Sequence, residues 1–130
     1  MMESMTAWAP RALSVLRIFV GLQLLEHATA KLFGFPAVPA FANLQIGSMF
    51  GVAALFELVG GALLIVGLFT RPVGFILSGF AAVGYFMVHA VKGFYPVLNG
   101  GEFISLLCFV SLYLACAGGG AWSLDETMKR

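Results

Sequence analysis

Long stretches of apolar residues alternate along the chain with short segments rich in proline, glycine and charge. An α-helix needs about 20 apolar residues to cross the hydrocarbon layer of a bilayer. Four stretches have about this length, and they predict helices over residues 12–33, 46–70, 72–92 and 102–119. The third and fourth carry charge only at their ends, whereas the first carries several charged residues and is therefore the least apolar.

The connections between these stretches contain residues that end helices. Pro36 and Pro39 interrupt the first connection, and Asn99-Gly100-Gly101 is a turn signal in the third. Pro72 directly follows a tight turn and begins the next helix, where a missing N–H does no harm. The pattern predicts an all-α fold, a bundle of four transmembrane helices that forms a single membrane domain over residues 1–130.

Composition supports a membrane protein and excludes other classes. The chain is 61% hydrophobic and 10% charged, with a mean hydropathy of +0.99, whereas soluble domains contain about 25% charged residues. A net charge of +1 lacks the basic excess of nucleic-acid-binding proteins. Two cysteines are too few for a disulfide scaffold. The lipid bilayer is the expected partner, and nucleic acid is not.

The distribution of basic residues predicts the orientation, because lysine and arginine accumulate in short cytoplasmic loops. The side that holds both termini carries more of them than the opposite side does. We therefore expect both termini in the cytoplasm. The two groups compared are Arg11, Arg17, Arg71, Lys129 and Arg130 on the first side, and Lys31 and Lys92 on the second.

Ionisable side chains within the predicted helices are the candidates for a functional site. Such groups are costly in a membrane and usually face the interior of the bundle. At about 1.5 Å per residue, several of them lie at similar depths in the outer half of the bilayer. This convergence predicts a polar pocket, while the structural alternative is that these groups only hold the bundle together. The pocket candidates are Arg17, Glu26, His27, Lys31, Glu57 and His89.

The residues do not indicate a metal centre. Di-iron bundles use Glu-x-x-His motifs, and neither His27 nor His89 has a glutamate three residues before it. Two histidines on separate helices leave a haem as a disfavoured alternative. No catalytic triad, phosphate-binding loop or nucleotide fingerprint is present. The sequence therefore leaves open whether the protein is an enzyme.

Three motifs of this chain resemble those of the DoxX family of small bacterial membrane proteins. The chain differs from many relatives at Glu26, where they have a neutral residue before the histidine. The motifs are Leu16-Arg17-Ile18 through Gly21 to His27 and Lys31-Leu32-Phe33-Gly34, then Glu57-Leu58-Val59-Gly60-Gly61 continuing to Gly67-Leu68-Phe69-Thr70-Arg71, and finally Ser123-Leu124-Asp125.

The resemblance implies a multi-pass, four-helix protein of the bacterial inner membrane. Relatives include a small subunit of a thiosulfate:quinone oxidoreductase and membrane partners in oxidative-stress complexes. The expected function is therefore an accessory subunit of a quinone-linked redox system, with quinone as ligand of the pocket and a redox subunit or a second copy of the chain as partner. A non-enzymatic structural or assembly protein and a small proton-linked transporter remain alternatives.

Overall fold

The structure, a computed structural model, describes residues 2–45 and 47–129. Within these ranges the chain is helical and contains no β-strand. A π-helical turn, Tyr85–His89, and two 3-10 turns, Pro39–Phe41 and Ala90–Lys92, interrupt the α-helices. The α-helices are α1 (Met2–Ala7), α2 (Ala9–Phe33), α3 (Met49–Val66), α4 (Thr70–Gly84), α5 (Pro96–Asn99), α6 (Glu102–Ala117) and α7 (Leu124–Met128).

Among residues 2–45 and 47–129, three helical stretches have the length and the apolar composition needed to cross a membrane: Ala9–Phe33, Met49–Val66 and Thr70–Lys92. The helix α6 is apolar as well but has only 16 residues. The prediction of an all-α fold is confirmed for the described residues. The count of four spans and the cytoplasmic position of both termini stay predictions.

Capping residues place the ends of the second predicted helix. The predicted first residue, Ile46, lies outside the described residues. The helix α3 begins after Ser48, whose Oγ accepts a hydrogen bond from the main-chain N–H of Gly51 at 3.2 Å. Such a cap satisfies an N–H group that has no partner within the helix. The helix ends before Gly67, which has a φ of 73°, a left-handed conformation that glycine adopts without strain.

The third predicted helix changes its winding before its end. Regular α-helix stops at Gly84, and the chain continues through the π-helical turn and a 3-10 turn to Lys92. The segment after the fourth predicted helix is also partly helical, because Leu124–Met128 forms α7. Ser123 caps this helix by accepting a hydrogen bond from the N–H of Glu126 at 3.2 Å.

The described residues form two compact units. The first comprises residues from the ranges 1–69 and 119–130, and it contains the hairpin of α2 and α3. The second is Thr70–Gly118, and it contains the hairpin of α4 and α6.

Glycines allow the two helices of each hairpin to touch through their backbones. A Cβ atom added to Gly21 would lie 2.8 Å from the carbonyl oxygen of Gly61, and one added to Gly61 would lie 2.9 Å from that of Gly21. In the second unit, a Cβ atom at Gly74 would lie 2.7 Å from the carbonyl oxygen of Ser111. Small residues at such crossings bring membrane helices into close van der Waals contact.

Candidate functional site

A buried ion pair joins the two helices of the first unit. Lys31, near the end of α2, donates from Nζ to Oε1 of Glu57, in the middle of α3. The side chains are 9% and 5% exposed, respectively. A buried carboxylate is costly unless a cation and hydrogen bonds compensate for the water it has lost. Glu57 therefore has its compensating partner on the neighbouring helix.

His27 lies close to the same carboxylate. It precedes Lys31 by four residues, so the two side chains lie on the same face of α2. Nδ1 of His27 is 4.0 Å from Oε2 of Glu57, and the imidazole is 38% exposed. We call His27, Lys31 and Glu57 the Glu57 cluster. Its carboxylate has Lys31 at one oxygen and the more accessible imidazole near the other.

Two aromatic rings extend the Glu57 cluster towards the α2–α3 connection. Nζ of Lys31 lies 5.4 Å from the ring centroid of Phe41 and 6.0 Å from that of Phe50. A cation within about 6 Å of an aromatic face is attracted by the ring. No sequence pattern points to these phenylalanines, because Phe41 lies in the connection between α2 and α3 and Phe50 is one of many apolar residues in α3.

An open cavity of about 730 Å³ lies in the same connection. Phe50 is common to its lining and to the surroundings of Lys31. The cavity therefore borders the aromatic side of the Glu57 cluster. It is lined by Pro39, Ala40, Asn43, Leu44, Gln45, Gly47, Ser48 and Phe50.

Arg17 has a separate set of contacts. It lies 14 residues before Lys31 on α2, which corresponds to about 21 Å along the helix axis. Its side chain is fully buried. Nε donates to the carbonyl oxygen of Leu64 at 2.7 Å, Nη2 donates to that of Trp122 at 2.8 Å, and Nη1 donates to that of Gly119. Arg17 thus joins three backbone segments and does not balance the charge of Glu57.

The remaining two pocket candidates are not members of the Glu57 cluster. The side chain of Glu26 is exposed, and the main-chain oxygen of this residue accepts from the hydroxyl of Thr29 at 3.1 Å. His89 belongs to the second unit, where Nδ1 lies 3.0 Å from the carbonyl oxygen of Asn99. In residues 2–45 and 47–129, no three His, Cys, Asp or Glu side chains are grouped so that they could hold a metal ion.

Parts of all three sequence motifs meet around the turn between α3 and α4. The N–H of Asp125 donates to the carbonyl oxygen of Gly67 at 3.0 Å, and Oδ1 of Asp125 accepts from the N–H of Phe69 at 2.8 Å. A Cβ atom at Gly67 would lie 2.8 Å from Nη1 of Arg17. These contacts give Arg17, the turn and the C-terminal segment a shared structural role.

Comparison with known proteins agrees with these motifs. Residues 12–90 match the model of the DoxX family. This protein belongs to the DoxX family. An uncharacterized protein of Haemophilus influenzae is 42% identical to it over 129 residues, which cover 96% of each chain. A Bacillus subtilis protein named "Putative oxidoreductase CatD" is 31% identical over 113 residues, 85% of this chain and 82% of that protein. No solved structure matches the chain.

The region that matches the DoxX family contains the complete Glu57 cluster as well as Arg17 and His89. The predicted family is therefore confirmed. Family membership and the three long apolar helices together indicate a membrane protein.

Proposed function

We propose that this DoxX protein is an accessory subunit of a quinone-linked redox system in the bacterial inner membrane. In this proposal the chain is multi-pass, and the Glu57 cluster contacts the quinone head group. The observation that carries the proposal is the buried Lys31–Glu57 ion pair with the partly exposed imidazole of His27 4.0 Å from the carboxylate.

The chemistry of a quinone suits these three side chains. Reduction of a quinone consumes two electrons and two protons and converts both carbonyl oxygens to hydroxyl groups. A partner redox subunit would supply the electrons. The ammonium group of Lys31 and the imidazole of His27 can donate hydrogen bonds to a carbonyl oxygen. Histidine and glutamate can also pass protons when their environment suits it.

The similarity to known proteins supports a redox role only in general terms. The Bacillus subtilis relative has a name that describes an oxidoreductase. We extend that description to this chain as part of the proposal. The exposed face of His27 and the open cavity beside Phe50 provide a route by which a flat ring could approach the Glu57 cluster.

Substitution of Glu57 tests the proposal in membranes of the native host. A strain that lacks the gene first identifies the quinol-linked electron transfer that depends on the protein. Glu57→Gln should then lower this rate to that of the deletion strain, with the amount of protein measured in the same membranes. Glu3→Gln, the same change at an exposed position in α1, should preserve the rate. An undiminished rate with Glu57→Gln would contradict the proposal.

A non-enzymatic structural role is the second candidate, because Lys31 and Glu57 compensate each other within one hairpin. The double variant Lys31→Met/Glu57→Met separates the two functions. Replacing a buried ion pair by apolar residues of similar volume is often neutral or stabilising. The double variant should therefore fold. It should lose electron transfer if the Glu57 cluster contacts quinone, and it should retain electron transfer if the pair is only structural.

A further inference from the structure

Asn99, in the second unit, has an amide group whose orientation is fixed by its partners. The residue is 2% exposed. Its Oδ1 accepts from the N–H of Gly101 at 2.8 Å, and its Nδ2 donates to the carbonyl oxygen of Gly93 at 2.9 Å. A main-chain N–H can only donate and a carbonyl oxygen can only accept. The two ends of the amide therefore cannot be exchanged.

This orientation determines the role of the Tyr85 hydroxyl. Nδ2 of Asn99 is also 3.1 Å from Oη of Tyr85, and it must donate there because it carries two hydrogens and no acceptor. The hydroxyl oxygen of Tyr85 thus accepts a hydrogen bond, which leaves its own hydrogen for another partner. Within the described part of the chain, no second partner of this hydroxyl is found.

Asn99 also determines the tautomer of His89. Nδ1 of His89 lies 3.0 Å from the main-chain carbonyl oxygen of Asn99. Since that oxygen only accepts, the proton of the neutral ring lies on Nδ1, and Nε2 carries a lone pair. No described residue donates a hydrogen bond to Nε2. One buried asparagine therefore leaves a donor on Tyr85 and an acceptor on His89.

The two side chains lie together at the ends of one π-helical turn, Tyr85–His89. Their ring centroids are 6.4 Å apart, with an angle of 27° between the planes. Both residues are partly exposed. The ring of Phe86 meets that of Tyr85 edge to face, at 5.5 Å between centroids. Single π-turns within helices are frequent at functional sites.

We propose that Tyr85 and His89 form a second binding site, which takes a small aromatic molecule that carries a hydroxyl group. The hydroxyl hydrogen of the ligand is donated to Nε2 of His89, and the hydroxyl of Tyr85 donates to an oxygen of the ligand. The neighbouring aromatic rings favour a flat ring over an aliphatic chain. The residues of this site all belong to the second unit, and its assignment does not depend on the proposed redox function.

The test uses two probes of nearly equal size, 4-tert-butylphenol and 4-tert-butylanisole, because only the phenol can donate a hydrogen bond. The purified full chain in nanodiscs is labelled with ¹⁵N-histidine, and His27→Gln identifies the His89 signals, since the chain has only two histidines. We expect the free protein to show the Nδ1–H tautomer of His89. The phenol should shift the Nε2 resonance in a saturable way, and the anisole should not.

Tyr85→Phe removes one hydrogen bond and should weaken phenol binding about three- to tenfold, with no effect on the tautomer. An Nε2–H tautomer, equal shifts with both probes, or unchanged phenol affinity in Tyr85→Phe would each overturn the proposal. The comparison of the two probes requires no substitution at the site, so it decides the question even if Tyr85→Phe does not fold. Phenol binding is measured in nanodiscs and does not require electron transfer. A negative binding result therefore contradicts this proposal alone and leaves the proposed redox function untouched.

Discussion

Nε of Arg17 donates a hydrogen bond to the main-chain carbonyl oxygen of Leu64 at 2.7 Å. Leu64 lies in the last turn of α3, where its carbonyl oxygen accepts from the N–H of Gly67 at 3.2 Å instead of from an N–H four residues later, as in a continuing helix. Arg17 supplies a second, charged donor from α2 to this oxygen, and its guanidinium group packs against Gly67, the residue that ends α3.

The second hairpin ends in a similar way. Arg71, in the first turn of α4, donates from Nη1 to the carbonyl oxygens of Cys116 and, at 3.4 Å, Ala115, in the last turn of α6. Gly118 follows α6 with a φ of 85°, and a Cβ atom there would lie 3.3 Å from Nη2 of Arg71. Both hairpins thus use an arginine of their first helix and a glycine with positive φ to complete the end of the second. The two arginines differ in burial, since Arg17 is buried and Arg71 is exposed.

This difference predicts unequal effects of the same substitution. Arg17→Met should lower the free energy of unfolding by more than about 3 kcal/mol, because buried carbonyl oxygens lose charged donors. Arg71→Met should lower it by at most about 1 kcal/mol, since exposed charges contribute little. Unfolding of the purified protein in mixed detergent micelles measures both values. Equal losses would show that the burial of Arg17 is not important for its contribution.

Because the backbones of α2 and α3 touch at Gly21 and Gly61, we expect a single added methyl group to push these two helices apart. Gly61→Ala should destabilise the protein by about 1–3 kcal/mol, because the added carbon meets the backbone of α2. Gly79→Ala is the matched control, because a Cβ atom there has no neighbour within 4 Å. This control should be neutral or stabilising by up to about 1 kcal/mol, since alanine favours helix. Thermal unfolding of both variants checks the prediction, and similar behaviour would contradict it.

In the Lys31–Glu57 pair, we expect the contribution of each side chain to the free energy of unfolding to depend strongly on the presence of the other. Lys31→Met or Glu57→Met alone leaves an unpaired buried charge and should cost about 3–5 kcal/mol. Together the substitutions should restore the free energy of unfolding to within about 1–2 kcal/mol of the original. The four proteins form a double-mutant cycle. Additive losses would mean that the two side chains do not stabilise each other.

We expect the side chain of Asp125 to stabilise the turn between α3 and α4 locally. Phe69 has a φ of 54°, a left-handed conformation that is unfavourable for a residue with a side chain. Its N–H is held by Oδ1 of Asp125. Asp125→Ala removes this acceptor and should speed hydrogen exchange in peptides that contain Phe69. Asp125→Asn keeps an acceptor and should preserve most of the protection. Unchanged exchange in Asp125→Ala would show that the bond does not hold the turn.

The predicted topology can be tested with single cysteines in a Cys108→Ala/Cys116→Ala background. Phe94 and Met128 are both highly exposed, and the distribution of basic residues places them on opposite sides of the membrane. A membrane-impermeant maleimide added to spheroplasts should label Phe94→Cys and leave Met128→Cys unlabelled until the membrane is opened. Labelling of Met128→Cys in intact spheroplasts would contradict a cytoplasmic C-terminus.

The sequence by itself determined where helices form. Backbone groups in lipid need partners within the same segment, so a long apolar stretch is helical whatever its neighbours are. The prediction over 102–119 and the observed Glu102–Ala117 illustrate this local control. Counting residues along two antiparallel helices also places His27 and Glu57 at similar depths, and in the structure these side chains approach within 4.0 Å.

Only the tertiary structure decided which polar groups become partners. The carboxylate of Glu57 lies closer to Lys31 than to His27. Glu26, the residue next to His27, is exposed. The rotation of α2 against α3 selects among these neighbouring side chains. Arg17 binds carbonyl oxygens of Gly119 and Trp122, which lie more than 100 residues later in the chain. No sequence pattern reveals such contacts, since a carbonyl oxygen is present at every residue and only the return of the chain brings these particular ones to Arg17.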